Sequence, residues 1–224
     1  MQWVWTNFDK IWGLTLAHVG LSVIPIVAGF ILSIPLGYAA SRSRVARSIL
    51  LSVGGILYTI PSLALFFTIP VILGTSLLDP INVVVALTVY AVAIMIRTAT
   101  DAFVSVPADV QDSARAVGFS RAQQFFAVDL PLAGPVLLAG VRVVSVSTVS
   151  LVSVGALIGV SSLGSLFTDG FGNGNLPEIW AGIVGTLVIA AVYDILIIAV
   201  ARLLMPWNRR PARVRAVATK AAHA

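Results

Sequence analysis

Three stretches of this chain contain no charged residue, and each is longer than a bilayer is thick. Ile11 to Ser41, Ser48 to Leu78 and Val143 to Thr168 lack Asp, Glu, Lys and Arg altogether, whereas about 20 apolar residues in a helix are enough to cross the hydrocarbon layer. Composition leads to the same place. Hydrophobic residues make up 58% of the 224 residues and charged ones only 10%, with a mean hydropathy of +1.01. A soluble domain carries about 25% charged residues, so this chain cannot cover a water-facing surface. The predicted fold class is an all-α membrane protein.

The pattern predicts five transmembrane helices, over residues 13–40, 48–74, 80–105, 132–156 and 178–205. A short turn, GTSLLDP, separates the second and third. A Gly/Ser/Asn-rich connection, 161-SSLGSLFTDGFGNGNLP-177, joins the fourth and fifth. Lys and Arg orient the set. Arg42, Arg44, Arg47, Arg115, Arg121, Arg202, Arg209, Arg210, Arg213, Arg215 and Lys220 fall on one side of a five-span chain, and Lys10 alone on the other. Cytoplasmic loops carry the excess of basic residues, which predicts an outside N-terminus and a cytoplasmic C-terminus. Trp3, Trp5 and Trp12 would mark the outer interface and Trp207 the inner one. The start, MQWVWTNFDK, has no basic n-region or small-residue cleavage site and does not read as a signal peptide. The 206–224 tail reads as a disordered basic extension. The absence of cysteine removes disulfides, thiolate ligands and a cysteine nucleophile.

One polar segment interrupts this apolar chain, 107-PADVQDSARAVGFSRAQQFFAVDLP-131. With five spans it is the large cytoplasmic loop, and it reads as two short helices. Pro107 suits a first turn, and Asp109 and Asp112 suit the positive end of a helix dipole. Val110, Ala114 and Val117 recur at helical spacing on one narrow face. Gly118 suits a left-handed helix end, and Ser120 with Gln123 forms a capping box for a second helix. A helix–glycine–helix unit with basic residues also describes a DNA-binding module. Tethering to spans at both ends argues against nucleic acid here and for a knob that docks in another protein.

The spacing within this loop resembles that of ATP-binding cassette importer permeases, whose loop has the pattern E-A-A-x3-G-x9-I-x-L-P. Here Asp112, Ser113 and Ala114 are followed after three residues by Gly118, and after nine more by Val128, Asp129, Leu130 and Pro131. Asp replaces Glu, Ser replaces the first Ala, and Val replaces Ile. The resemblance implies that Asp112, Ser113, Ala114, Gly118, Leu130 and Pro131 form a coupling helix that inserts into an ATPase subunit. The run Thr59 to Leu65 (TIPSLAL), Leu138 to Arg142, and 155-GALIGVSSLGSLF-167 are similar to osmoprotectant permeases, which import glycine betaine, choline or carnitine. The resemblance covers about residues 14–205 and places the chain in a bacterial cytoplasmic membrane.

That resemblance implies partners. The only lysines are Lys10 and Lys220, and neither stands in a phosphate-cradling G-x-x-x-x-G-K-[ST] loop. The chain is therefore expected to be a transport subunit rather than an enzyme, with no cofactor of its own and with ATP used by separate cytoplasmic ATPase subunits. A second permease copy or a homologous permease, and an extracytoplasmic substrate-binding protein, complete the expected assembly. The same machine carrying methionine or another amino acid is the alternative cargo reading. A channel working without ATP is the alternative of another class.

Within the spans, ionisable residues are costly and face the protein interior. Arg97 and Asp101, four apart, and Arg142 with Asp194 are expected intramembrane ion pairs. Thr59, Pro61, Ser62, Ser145, Ser147 and Thr148 are candidates for a pathway or gate, and Pro25, Pro35, Pro61 and Pro70 predict kinked or broken helices. His18 has no second ligand at metal spacing. A quaternary amine is recognised by aromatic faces. The aromatic residues are scattered along the sequence, so high-affinity capture is assigned to the binding protein.

Overall fold

The computed structural model describes residues 2–208, and every regular element among them is helical. A short α1 (Gln2–Thr6) leads into α2 (Phe8–Arg42). The next two, α3 (Arg44–Thr59) and α4 (Ser62–Leu73), meet at a bend, and α5 (Pro80–Val104) follows. After α6 (Ala108–Ala116), α7 (Arg121–Gln124) passes through a π-turn at Phe125–Asp129 into α8 (Leu130–Val154). Then come α9 (Ser165–Gly172) and α10 (Leu176–Leu204).

Four helical segments are long and apolar enough to cross a membrane: Phe8–Arg42, Pro80–Val104, Arg121–Ile158 and Leu176–Leu204. The fifth expected span is not one helix. α3 and α4 are bent by 104° at Ile60 and Pro61. The cause is local, because Pro61 has no N–H and forces the residue before it into an extended conformation. Ile60 has φ −64°, ψ 128°. The bent pair still connects the two ends of the bundle. Arg47, near the start of α3, pairs with Asp101 at the end of α5 (3.3 Å), whereas Thr75, just past α4, donates to Asn82 at the start of α5 (2.5 Å). The described residues thus hold four such helices, or five spans when the bent pair is counted as one. By contrast, α2 runs unbroken through Pro25 and Pro35.

α5 is the centre of the bundle, packed by α2, α3, α4 and α8, and fourteen of its residues are buried. Its contact with α2 is backbone-close. A Cβ on Gly29 would lie 2.5 Å from the Cβ of Ala91, and one on Gly37 would lie 2.5 Å from that of Ala99 and 2.9 Å from the backbone nitrogen of Thr100. Ser33, fully buried, sits between the two glycines. Small residues four apart on one face let two membrane helices approach until their backbones touch, and dispersion contacts then drive the packing. The outermost helix is α10, in which only Glu178, Gly182, Ile189 and Ala201 are buried.

The chain direction alternates, which gathers Arg42, Arg44, Arg47, Arg115, Arg121 and Arg202 at one end. At the other end Lys10 binds Asp169 (3.0 Å) and the buried Glu178 (2.9 Å). The 161–177 connection is not an open loop. It folds into α9 over buried Ser162, Leu163 and Leu166, and Gly164 leaves no room for a side chain against the Ser153 carbonyl. Of the tail, Pro206–Asn208 forms a helical turn, and residues 209–224 lie outside the described residues.

Gly37→Leu is expected to break the α2–α5 contact, because the Thr100 backbone cannot yield. Size-exclusion profiles in mild detergent should show loss of the monodisperse peak. Gly20→Leu, with open space around it, should elute as the parent does.

Candidate functional site

The polar segment 107–131 folds as two helices joined at Gly118, and the second continues into α8. Pro107 caps the first helix from outside its first turn (φ −60°, ψ 134°). Asp112 lies beyond the first turn and pairs with Arg115 (3.2 Å) rather than serving the helix dipole. Gly118 has φ +88°, where any residue with a Cβ is strained. Its N–H bonds the Arg115 carbonyl (3.0 Å), and the N–H of Phe119 bonds that of Ala114 (3.1 Å). These two bonds close the helix end in a Schellman motif. The capping box forms, with Ser120 accepting from the Gln123 N–H (3.3 Å) and the Gln123 side chain accepting from the Ser120 N–H (2.9 Å).

Of the residues singled out in this segment, Asp112, Ser113 and Gly118 are exposed and Ala114 is buried. Val117, Phe119 and Phe126 leave apolar surface beside them in the open. Leu130 packs inward against the cluster around Phe103 and Ala133. Pro131 stands at the start of α8, directly after the π-turn. A proline ring presses on the carbonyl of the preceding turn and withholds a donor, and a widened turn accommodates both effects.

Arg42 ties this segment to the bundle. Its guanidinium donates to Asp129 Oδ2 (2.8 Å), to the Tyr38 hydroxyl (2.9 Å) and to Gln111 Oε1 on α6 (3.4 Å). It also lies 4.9 Å from the Tyr38 ring centroid. Asp129 is only 1% exposed, so Arg42 is what makes its burial as a carboxylate tolerable. Phe103 and Phe125 pack edge-to-face against Tyr38 beside the pair. The expected pairing of Arg97 with Asp101 does not occur. Asp101 turns to Arg47 across the α3–α5 contact, and Arg97 is exposed with no ion pair among the described residues.

The second candidate region is a groove along one face of α8. Ala139, Arg142, Val143, Val146, Ser147 and Ser150 share that face at helical spacing and are exposed or half-buried. Arg142 binds Asp194 of α10 through both Nε and Nη, the latter at 2.9 Å from Oδ2, so this expected pair forms. One hollow of about 420 Å³ lies over the ion pair and Ser147. A second, of about 540 Å³, lies over the α3–α4 bend and is lined by Tyr58, Ser62, Tyr90, Ser147 and Ser150. Val146 and Ser147 line both hollows, which lie side by side along α8. A stripe holding Arg, Asp and serines is costly against lipid and suits an aqueous path or a protein partner.

The pathway candidates therefore divide. Ser62 and Ser147 line the groove; Thr59 and Pro61 form the bend beside it, the Thr59 hydroxyl bonding back to Ile56 (2.7 Å). Ser145 and Thr148 point the other way and are buried between helices. Tyr58 and Tyr90, 32 positions apart, come together edge-to-face at 6.2 Å. Only the antiparallel packing of α3 on α5 reveals that pairing. His18 is fully buried and donates from Nε2 to the Val149 carbonyl (3.1 Å). Among the described residues, no group of three His, Asp or Glu side chains could hold a metal.

The bundle, its broken span and its interrupted loop are those of a transporter membrane subunit. Residues 26–210 match the family described as binding-protein-dependent transport system inner membrane component, and the chain belongs to that family. The choline transport system permease protein OpuBB of Bacillus subtilis is 28% identical over 92% of this chain and 94% of its own length. The osmoprotectant import permease protein OsmW of Salmonella typhimurium is 27% identical over 91% and 96%. In structure, the chain is similar to a subunit of the inward-facing MetNI methionine transporter. The TM-score is 0.79, at 20% identity, over 89% of this chain and 98% of that one; this likeness concerns the fold alone.

Arg42→Leu should destabilise the protein by about 1–3 kcal/mol, less than for a fully enclosed pair because Arg42 is itself partly exposed. The double variant Arg42→Leu/Asp129→Leu should recover much of that loss. Thermal unfolding midpoints in detergent measure both.

Proposed function

We propose that this chain is the membrane-spanning subunit of an ATP-driven importer of quaternary-amine osmoprotectants such as glycine betaine, choline or carnitine. The observation that carries the reading is the loop spacing Asp112–Ala114–Gly118–Leu130–Pro131 on an exposed, tightly capped helix end, in a chain of a binding-protein-dependent permease family. The cargo follows from the relatives, whose names specify choline and osmoprotectant transport.

In this reading the arginine-rich end faces the cytoplasm, as the positive-inside rule requires, and α6 is the element that enters an ATPase subunit. The exposed Val117, Phe119 and Phe126 supply apolar contact area for that docking. The Schellman turn holds the end of α6 in one conformation, so a push on the helix is not absorbed by the loop. Motion then passes through Arg42 to α2 and Asp129, and through the continuous α7–α8 rod to the groove. A second permease closes the groove, an extracytoplasmic binding protein delivers cargo, and the ATP is hydrolysed in the partner ATPase.

Gly118→Trp is expected to insert in the membrane, because the space around its Cα is open, while straining the left-handed turn that ends α6. It should nevertheless abolish uptake and release the ATPase on copurification. Gly118→Asn, which tolerates the left-handed backbone, should retain most activity. Growth rescue at high salt by glycine betaine, set against rescue of an auxotroph by methionine, identifies the cargo class. Undiminished uptake with Trp at position 118 would overturn the coupling role.

A further inference from the structure

The groove over the α3–α4 bend has a composition that selects among ions. Around its volume of about 540 Å³ stand tyrosine, serine and aliphatic side chains, and none of the lining residues is charged. An alkali ion or a primary ammonium would have to shed tightly held water there with no counter-charge in return. A quaternary ammonium loses little. Its charge is spread over methyl groups that tolerate Val146 and Leu151 as walls, and an aromatic face attracts it.

Tyr58 offers such a face. It is 55% exposed and lines the groove together with Ser62, Ser147 and Ser150. Tyr90 plays a different part. It is 4% exposed, packs edge-on against Tyr58, and donates its hydroxyl to the carbonyl of Ile60. The break at Pro61 deprives that carbonyl of a helical partner, so Tyr90 holds both the bend and the Tyr58 ring in place. α3 ends at the same point, turning the negative end of its dipole toward the groove. Along α8, the positive charge of Arg142 is already matched by Asp194, so it does not repel a cation.

We propose that Tyr58, with Ser62, Ser147 and Ser150, is a contact site for a quaternary ammonium group within the membrane, with Tyr90 as its positioning residue. The site is a half-shell open on one side, and a second permease closes it. This inference rests on the osmoprotectant reading and assigns that cargo its membrane contact.

The test uses the full chain purified with its ATPase, probed by saturation-transfer NMR with choline and with 3,3-dimethylbutanol, its uncharged carbon isostere. Choline methyl signals should respond and those of the isostere should not. Tyr58→Leu should abolish the choline response, Tyr58→Trp should keep or strengthen it, and Tyr90→Phe should weaken it. In cells, Tyr58→Leu should lower maximal choline uptake roughly tenfold, the scale of a desolvated cation–π contact. The half-saturating concentration, set by the binding protein, should stay unchanged. No choline response in the parent chain, equal responses to both probes, or full uptake by Tyr58→Leu would each overturn the site while leaving the importer reading intact. Failure of the parent transporter to take up any quaternary amine would overturn the cargo reading itself.

Discussion

The contact between α2 and α5 sets the geometry on which the other helices build. Two membrane helices gain no hydrophobic advantage by leaving lipid for each other, so their association depends on how many atoms come into close contact. Gly29, Ser33 and Gly37 on α2 face Ala91 and Ala99 on α5, and the backbones touch along most of two helical turns. With that axis in place, α3–α4 and α8 lay themselves antiparallel along α5, and α10 is left at the periphery with one sparse packing seam.

The break at Pro61 shows how a bundle of this kind makes room for a polar groove without leaving backbone groups unsatisfied. In hydrocarbon a free carbonyl is expensive, and irregular backbone is tolerated only inside protein or beside water. The Ile60 carbonyl, released by the proline, is taken by the Tyr90 hydroxyl from the neighbouring helix. The same bond brings Tyr58 beside the serine stripe of α8. One hydrogen bond thus closes an energetic gap in the fold and shapes the wall of the groove.

At the arginine-rich end of the bundle the physics is electrostatic. Asp129 is buried in a π-turn, and Arg42 reaches it from another helix while also touching α6. A displacement of α6 cannot leave Arg42 unaffected, and Arg42 cannot leave Asp129 without stranding a buried charge. The 107–131 segment is therefore joined to two spans at once, in a region closed by the caps at Gly118 and Ser120.

The sequence by itself determined the solvent, the all-helical class, the end at which the arginines gather, the helix–turn–helix form of the 107–131 segment and the Arg142–Asp194 pair. These follow from local rules: length of uncharged runs, caps, and the cost of an unpaired charge in lipid. Tertiary structure alone decided the rest. Asp101 chose Arg47 over the nearer Arg97, because α3 crosses α5 at that level and a partner across helices was better placed. Ser145 and Thr148 went inward while Ser147 and Ser150 stayed on the groove, since the rotation of α8 is set by packing against Met95 and Thr98 at Gly140. Tyr58 and Tyr90 looked scattered in sequence and became neighbours in space. Helical periodicity states which residues share a face of one helix; which face meets which neighbour is settled by side-chain volume in the assembled bundle.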